Sequence, residues 1–166
     1  CAVHAKGRSA LDVALEIAKS ASAKLPERTE DLPRYLKEAL HERAPGRPFN
    51  IVIDALDEAI TPREARLIVS KVVLPLVETC SDLGARVVLG TRPRDDDGDL
   101  LSCLGPARTT IDLDKATYFE RNDLTAYALA TLQLCGDERP DNPYSNRSLA
   151  EPVATRIAEI SEPNFL

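Results

Sequence analysis

The sequence is poor in the residues that build metal sites and disulfide frameworks. It contains two histidines and four cysteines, and Cys1, Cys80, Cys103 and Cys135 are scattered without a CxxC pair. Structural zinc sites need Cys or His ligands at close, regular spacing, and disulfide scaffolds need several cysteines in a short chain. We therefore predict no zinc site, and we interpret the cysteines as free thiols that pack mainly in apolar surroundings.

Long apolar runs and a positive net charge are also absent. No apolar stretch approaches the roughly 18 residues that a membrane-spanning helix needs, and the first residues lack the layout of a signal peptide. The net charge of −6 disfavours a general electrostatic attraction to nucleic acid or to anionic membranes. We predict a cytoplasmic protein that binds neither nucleic acid nor membrane and that holds any anion through local contacts.

Methionine is missing altogether, and the chain begins at Cys1. We therefore expect a fragment, or a trimmed piece, of a longer protein. Its 166 residues, 43% of them hydrophobic, are enough to bury the core of one domain.

Hydrophobic periodicity predicts strands and helices that alternate over the first two thirds of the chain. Apolar runs typical of strands occur at Cys1–Ala5, Phe49–Asp54, Ala85–Thr91 and, more peripherally, Arg108–Leu113. Helical spacing and capping residues predict helices from Ser9 to Pro26, from about Asp31 to Arg43, and from Thr61 to Gly84 with a kink or break at Pro75. Alternation of this kind predicts an α/β fold, a parallel sheet covered by helices on both faces in three layers.

The pattern changes to helices alone after Asp114. Asn122 can begin a helix that runs to about Leu134, and Ser148 begins a capping-box helix that runs to about Ile160. We predict a sheet domain over residues 1–116 and a C-terminal helical segment over residues 117–166.

The most informative stretch is an apolar strand that ends abruptly in carboxylates. Phe49–Ile53 is almost entirely β-branched or aromatic, which predicts a strand buried on both faces, and Asp54, Asp57 and Glu58 follow it. Ligands of open α/β sheets bind at the carboxyl ends of the strands. A carboxylate there can hold Mg²⁺, and another can polarise the water that attacks a terminal phosphate. We predict Asp54 as the metal ligand and Asp57 and Glu58 as the catalytic pair.

A second polar strand end follows one helix later. Thr91 and Arg92 come directly after the apolar run that begins at Ala85. Because neighbouring strand ends meet at one edge of a parallel sheet, we expect these side chains close to Asp54. A hydroxyl and a guanidinium there could sense the γ-phosphate of a nucleotide.

Simpler interpretations of both motifs stay open. The carboxylates after Phe49–Ile53 could belong to a solvated turn and a helix cap. Arg92 could pair with the acidic loop Asp95–Asp99, which lacks the spacing of a calcium loop and is predicted to be solvated.

Together these motifs resemble the NACHT-type members of the signal-transduction ATPases with numerous domains. Asp54-Ala55-Leu56-Asp57-Glu58 is similar to the family's Walker B motif, and Gly90-Thr91-Arg92-Pro93 is similar to the end of its sensor strand. Tyr118-Phe119 and the helix from Asp123 resemble the start of its small helical domain, and Ser161–Leu166 resembles its short Asn-Phe-Leu stretch. The resemblance spans most of the chain.

This resemblance implies a sheet of the P-loop NTPase type and a switch driven by ATP or GTP with Mg²⁺, within a larger regulatory protein of signalling or defence. Asp54 would hold Mg²⁺, Asp57 and Glu58 would flank the attacking water, and Thr91 and Arg92 would form the sensor. Expected partners are the nucleotide, other domains of the same protein and, in a ring assembly, further copies of the chain as a homo-oligomer.

The sequence departs from the family at the phosphate-binding loop. No GxxxxGK(S/T) motif occurs in the chain. Gly7-Arg8-Ser9 lies between a predicted strand and a predicted helix, but the upstream glycine would fall at Ala2 and arginine replaces lysine. In the family layout, Cys1–Ala5 resembles the strand after the phosphate-binding loop, and the missing strand belongs between the Ala85 and Arg108 strands. We therefore expect that this piece alone neither binds nor hydrolyses nucleotide.

Two other functions remain. One is a non-catalytic protein-interaction or scaffold module that keeps the NTPase-derived sheet. The other is a DNA-associated motor of the same broad superfamily, which the negative net charge disfavours.

Overall fold

The computed structural model describes residues 1–43, 47–106, 108–113, 115, 117–118, 121–134 and 141–161. These residues belong to two compact units, Cys1–Arg108 and Thr109–Leu166.

The first unit is built on a parallel sheet of three strands. They are β1 (Ala2–His4), β2 (Phe49–Asp54) and β3 (Ala85–Leu89), and they lie in the order β1-β2-β3. Val3 lies opposite Ile53, and Ile53 in turn lies opposite Leu89, so the carboxyl ends of all three strands are level. The unit therefore has the mixed α/β class and the parallel sheet that the sequence predicts.

The helices of this unit follow the predicted order. They are α1 (Ala10–Ser20), α2 (Leu32–His41), α3 (Pro62–Leu67), a π-helical segment (Ile68–Val73) and α4 (Leu74–Cys80). Single 3₁₀ turns occur at Thr29–Asp31, Leu56–Glu58, Ser81–Leu83 and Leu101–Leu104.

Two helix starts of this unit agree with the capping residues in the sequence. Ser9 begins α1 with a complete capping box, in which its hydroxyl accepts from the backbone of Asp12 and the Asp12 carboxylate accepts from the backbone of Ser9. At α3 the Thr61 hydroxyl accepts from the backbone N–H of Glu64, without the second half of a capping box. The end of α1 was predicted wrongly, because the chain leaves the helix at Ser22, whose φ of 57° is left-handed, well before Pro26.

Pro75 splits the long helix as predicted, and the structure shows how. The N–H of Leu74 bonds to the carbonyl of Val69, five residues earlier, so the turn before the proline is wider than an α-helical turn. In an α-helix the Pro75 ring would collide with the carbonyl of Lys71 and leave it without a donor. The wide turn avoids this collision, so α4 can follow directly and pack in the same core.

Within the described residues of this unit, helices cover only one face of the sheet. Along β2, alternate residues are buried (Phe49, Ile51, Ile53) and exposed (Asn50, Val52, Asp54). On the second face Val52 is 39% exposed and Val88 of β3 is 59% exposed. The prediction of a strand buried on both faces is therefore wrong.

The strand order explains the single covered face. Each strand is added on the same side of the previous one, and crossovers between parallel strands are right-handed. Successive right-handed crossovers in one direction must place their helices on the same face. Over the described residues of this unit the arrangement has two layers, one of helices and one of sheet, and not the predicted three.

The acidic loop is solvated over residues 96–99, as predicted, but it also contains a small antiparallel hairpin of β4 (Arg94–Asp95) and β5 (Gly98–Asp99). The Asp95 side chain in this hairpin is bonded to Arg66. The predicted strand at residues 108–113 is wrong, because these residues form no strand and Ile111 is largely exposed. Although their sequence alternates as a strand would, these residues pair with no strand in the described part of the chain that could satisfy their backbone hydrogen bonds.

The second unit is a pair of helices, α5 (Arg121–Leu132) and α6 (Arg147–Ser161), with a 3₁₀ turn at Pro143–Ser145. One buried stripe of α6 consists of Ala150, Ala154 and Ala158, which are four residues apart and therefore share one face of the helix. The structure thus confirms a helical C-terminal segment. Phe119, Cys135 and residues 162–166, with the predicted Asn-Phe-Leu stretch, lie outside the described residues.

We predict that truncation of two neighbouring residues of β2 destabilises the chain to very different extents. Ile53→Ala should lower the free energy of unfolding by about 2–5 kcal/mol, because Ile53 is fully buried beneath the helices. Val52→Ala should cost less than about 1 kcal/mol, because its side chain lies on the open face. Urea denaturation of both variants measures this, and equal losses would show that the second face is covered after all.

Candidate functional site

The candidate site lies at the carboxyl edge of the sheet, where the three strands end together. β1 ends at His4, β2 at Asp54 and β3 at Leu89, and all three continue into short polar turns. Helices α1 and α3 begin at the same edge, and the Glu64 side chain of α3 accepts a hydrogen bond of 2.7 Å from the N–H of Ala10 in α1. The residues that sequence analysis singled out are therefore brought to one place.

Backbone hydrogen bonds join the end of β1 to the carboxylate turn. The N–H of Ala5 donates to the carbonyl of Asp54, and the N–H of Gly7 donates to the carbonyl of Glu58, both at 2.8 Å. Gly7 adopts a φ of +67°, a conformation that glycine accepts without the steric cost of a Cβ. The turn after β1 is thus fixed against residues 54–58.

The turn after β3 is fixed on the other side. The N–H of Gly90 donates to the carbonyl of Ile53 at 2.8 Å, and the N–H of Leu56 donates to the carbonyl of Gly90 at 3.0 Å. A Cβ at Gly90 would lie 2.5 Å from Oδ1 of Asp54. Only glycine at this position allows the Asp54 carboxylate to lie directly over the next strand end.

Ala55 turns the chain at the end of β2. Its φ of 54° is left-handed, a conformation that costs a non-glycine residue about 1–2 kcal/mol. The turn buries Leu56 completely in the core and directs Asp57 towards β3. Strained backbone of this kind is concentrated at functional sites, where the surrounding structure holds it in place.

Asp57 is the best connected carboxylate of the site. Its side chain is 5% exposed, and it accepts from the backbone N–H of Arg92 at 3.1 Å and from Nε of Arg92 at 2.5 Å. The Thr91 hydroxyl is 3.4 Å from the same carboxylate. Burial alone would raise the pKa of Asp57, but the hydrogen bonds and the charge of Arg92 outweigh it, so the pKa lies below the ordinary value.

Glu58 faces the other way and pairs with a residue of the β1 turn. Nζ of Lys6 is 2.8 Å from Oε2 of Glu58, whose side chain is 37% exposed. The hydrogen bond and charge of Lys6 lower the pKa of Glu58, and the same contact raises the pKa of Lys6. Arg92 adds a smaller attraction and Asp57 a smaller repulsion.

Asp54 is exposed and has a looser partner. Nδ1 of His4 lies 3.8 Å from its Oδ2, which is an ion pair only when His4 is protonated. In the part of the chain that the structure describes, no three or more His, Cys, Asp or Glu side chains form a group that could hold a metal ion. A single exposed carboxylate is nevertheless a normal ligand set for Mg²⁺, which keeps several waters and takes its other ligands from phosphate.

Arg92 bonds to Asp57 and not to the acidic loop, so the interpretation of Arg92 as a partner of that loop is wrong. The loop is held by a different arginine, since Nη1 and Nη2 of Arg66 bond to the Asp95 carboxylate at 2.7 and 2.9 Å. An open polar cleft of about 460 Å³ lies between the Asp57–Arg92 pair and the acidic loop. It is lined by Asp57, Ala59, Ile60, Thr61, Pro62, Arg92, Arg94, Asp95 and Asp96. Small-molecule pockets are mostly apolar, so the cleft by itself indicates no ligand.

The turn at Gly7-Arg8-Ser9 does not form a phosphate-binding loop in this conformation. Such a loop binds phosphate through free backbone N–H groups. Here the N–H groups of Gly7, Arg8, Ser9 and Ala10 are all used within the chain, by Glu58, Ala5, Asp12 and Glu64 respectively. These residues fix the site and leave no amide for an anion.

Sequence analysis missed three residues of the site, which are His4, Lys6 and Gly90 in its role beside Asp54. A signal was present, because residues 4–6 lie at the end of the first predicted strand and all parallel strands of a sheet end at one edge. The pairing of Lys6 with Glu58 could not be predicted, since it depends on the register of β1 against β2.

Comparisons with protein-family models, with curated proteins and with solved structures found no match. No helix in the described ranges has both the length and the apolar character needed to cross a membrane.

We predict that Asp57 makes the stability of the chain depend on acid pH. Its folded pKa is depressed, so its contribution is complete above the unfolded value of about 3.9 and is lost as the pH falls through the folded value. Asp57→Asn should lower the free energy of unfolding by about 1–2 kcal/mol at neutral pH and reduce its decline below about pH 4.

Urea denaturation at several pH values measures both effects. Asp82→Asn, in the exposed turn after α4, controls for the loss of one negative charge. An acid-side decline that is as steep in Asp57→Asn as in the unmodified chain would contradict the account of Asp57.

Proposed function

We propose that this chain is part of the nucleotide-binding switch module of a regulatory ATPase or GTPase of the NACHT type, within a larger cytoplasmic protein of signalling or defence. The observation that supports the proposal is the common edge at which Asp54, Glu58 and the Asp57–Arg92 pair meet. Catalysis of phosphoryl transfer needs little more than positioning and charge at such an edge.

In this proposal Asp54 would hold Mg²⁺ together with water and the nucleotide phosphates. The metal ion would neutralise charge on the phosphates. Asp54 suits this role because it is exposed and makes no close ion pair among the described residues. Gly90 has no side chain, which leaves room for the Asp54 carboxylate over the end of β3.

The two carboxylates that follow would have different roles. The Asp57 side chain is only 5% exposed and already accepts hydrogen bonds from Arg92, so it is better suited to positioning the sensor than to polarising water. Glu58 is more exposed and would be the residue that orients the attacking water. Arg92 and Thr91 would report the γ-phosphate, since Arg92 extends into solvent from a backbone held by Asp57.

A non-catalytic scaffold is the second candidate, and two observations favour it. Asp57 and Glu58 are both paired with cations of the chain itself, and Val52 and Val88 expose apolar surface on the open sheet face. A module that had lost nucleotide could keep this edge as a structural clamp.

We predict that Glu58→Gln in the complete gene product keeps nucleotide binding but lowers the rate of hydrolysis by roughly a hundredfold or more. The amide fills the same space and cannot accept a proton from water. Steady-state phosphate release and the equilibrium binding of a fluorescent nucleotide measure the two properties separately.

Glu78→Gln, an exposed glutamate of α4, is the matched control and should change neither property. Hydrolysis that continues unchanged in Glu58→Gln would reject the role of Glu58. A complete gene product that binds no nucleotide with or without Mg²⁺ would reject the switch and leave the scaffold.

A further inference from the structure

Lys6 lies where the turn after β1 meets the turn after β2. Its ammonium is 2.8 Å from the Glu58 carboxylate, and its side chain otherwise extends into solvent. The backbone also holds the two side chains close together, because the next residue, Gly7, donates its N–H to the carbonyl of Glu58 at 2.8 Å. The backbone of each partner is thus fixed against the other.

Glu58 has few other constraints. It lies in a single 3₁₀ turn, and the charged groups that face it are Lys6, Arg92 and Asp57. Arg92 is committed to Asp57 through Nε at 2.5 Å, and Asp57 repels Glu58. Lys6 is therefore the one cation of this group that bonds directly to the Glu58 carboxylate.

We propose that Lys6 is a positioning residue, which holds the carboxylate of Glu58 at the carboxyl edge in the orientation that water activation requires. The inference rests on the proposed function of Glu58 and extends it to a residue of β1's turn. Lys6 acts through Glu58 and needs no contact with the nucleotide.

A direct test follows the Glu58 carboxyl group by ¹³C NMR titration in the 166-residue chain. Lys6→Gln should raise the pKa of Glu58, because its main hydrogen bond and its nearest positive charge are removed, whereas Lys6→Arg should restore most of the difference. Lys19→Gln, an exposed lysine near the end of α1, is the matched control. Identical titration of Glu58 in the unmodified chain and in Lys6→Gln would overturn the pairing.

The role in turnover is tested in the complete gene product. Lys6→Gln should lower kcat roughly ten- to a hundredfold with little change in KM, since a misplaced catalytic group costs rate and not binding. In a Glu58→Gln background the same substitution should have no further effect, because Lys6 would have nothing left to position.

A full Lys6→Gln effect in the Glu58→Gln background, or a rise in KM alone, would overturn the proposal and indicate contact with substrate. Failure of the proposed function gives a different result. In that case the complete gene product would neither bind nor hydrolyse nucleotide, but the titration of Glu58 would still respond to Lys6→Gln. The proposed role of Lys6 in turnover would then be rejected together with the proposed function.

Discussion

The structure of the candidate site depends on one carboxylate, that of Asp57, whose side chain is largely covered. Asp57 leaves β2 through the left-handed turn at Ala55 and accepts both the backbone N–H and the guanidinium of Arg92 from beyond β3. A carboxylate that is 5% exposed is costly unless it is hydrogen bonded, so ionised Asp57 favours the arrangement in which the two strand ends stay together. This interaction adds a side-chain link to the backbone hydrogen bonds that join the ends of β2 and β3.

The direction in which strands are added sets what surrounds that edge. Because β1, β2 and β3 are laid down in one direction by right-handed crossovers, every helix of the sheet unit covers the same face. The apolar residues Ile51 and Ile53 are buried there, while Asp54 and Val52 point to the open face. The predicted metal ligand and the open sheet surface are therefore neighbours, whereas the Asp57–Arg92 pair lies beyond the ends of the strands.

Much of this could be predicted from the sequence, because local signals decided it. Ser9 and Thr61 began helices through their capping hydrogen bonds, Pro75 split a helix that it could not continue, and the apolar run before Asp54 formed a strand. Because parallel strands end at one edge of a sheet, the sequence also predicted that Arg92 lies close to the carboxylates, and Arg92 does bond to Asp57.

What the sequence could not predict depends on the neighbours of each segment in space. Residues 49–53 suit a strand buried on both faces, but whether a second layer exists is decided by the order of the strands. Residues 108–113 alternate as a strand would, yet extended chain becomes a strand only beside a free edge in register. Lys6 looked like an ordinary turn residue, and only the register of β1 against β2 reveals its contact with Glu58.

The most direct measurement for the central claim is the coupling between Asp57 and Arg92, obtained from the unfolding free energies of Asp57→Ala, Arg92→Ala and the double variant. Arg92 is largely exposed, so the expected coupling is modest, about 1 kcal/mol, and Arg86→Ala on the open face of β3 should show none with Asp57→Ala. A coupling of this size would mean that the pair joins the ends of β2 and β3. Strictly additive effects of Asp57→Ala and Arg92→Ala would contradict the account, because the two strand ends would then be held by the backbone alone.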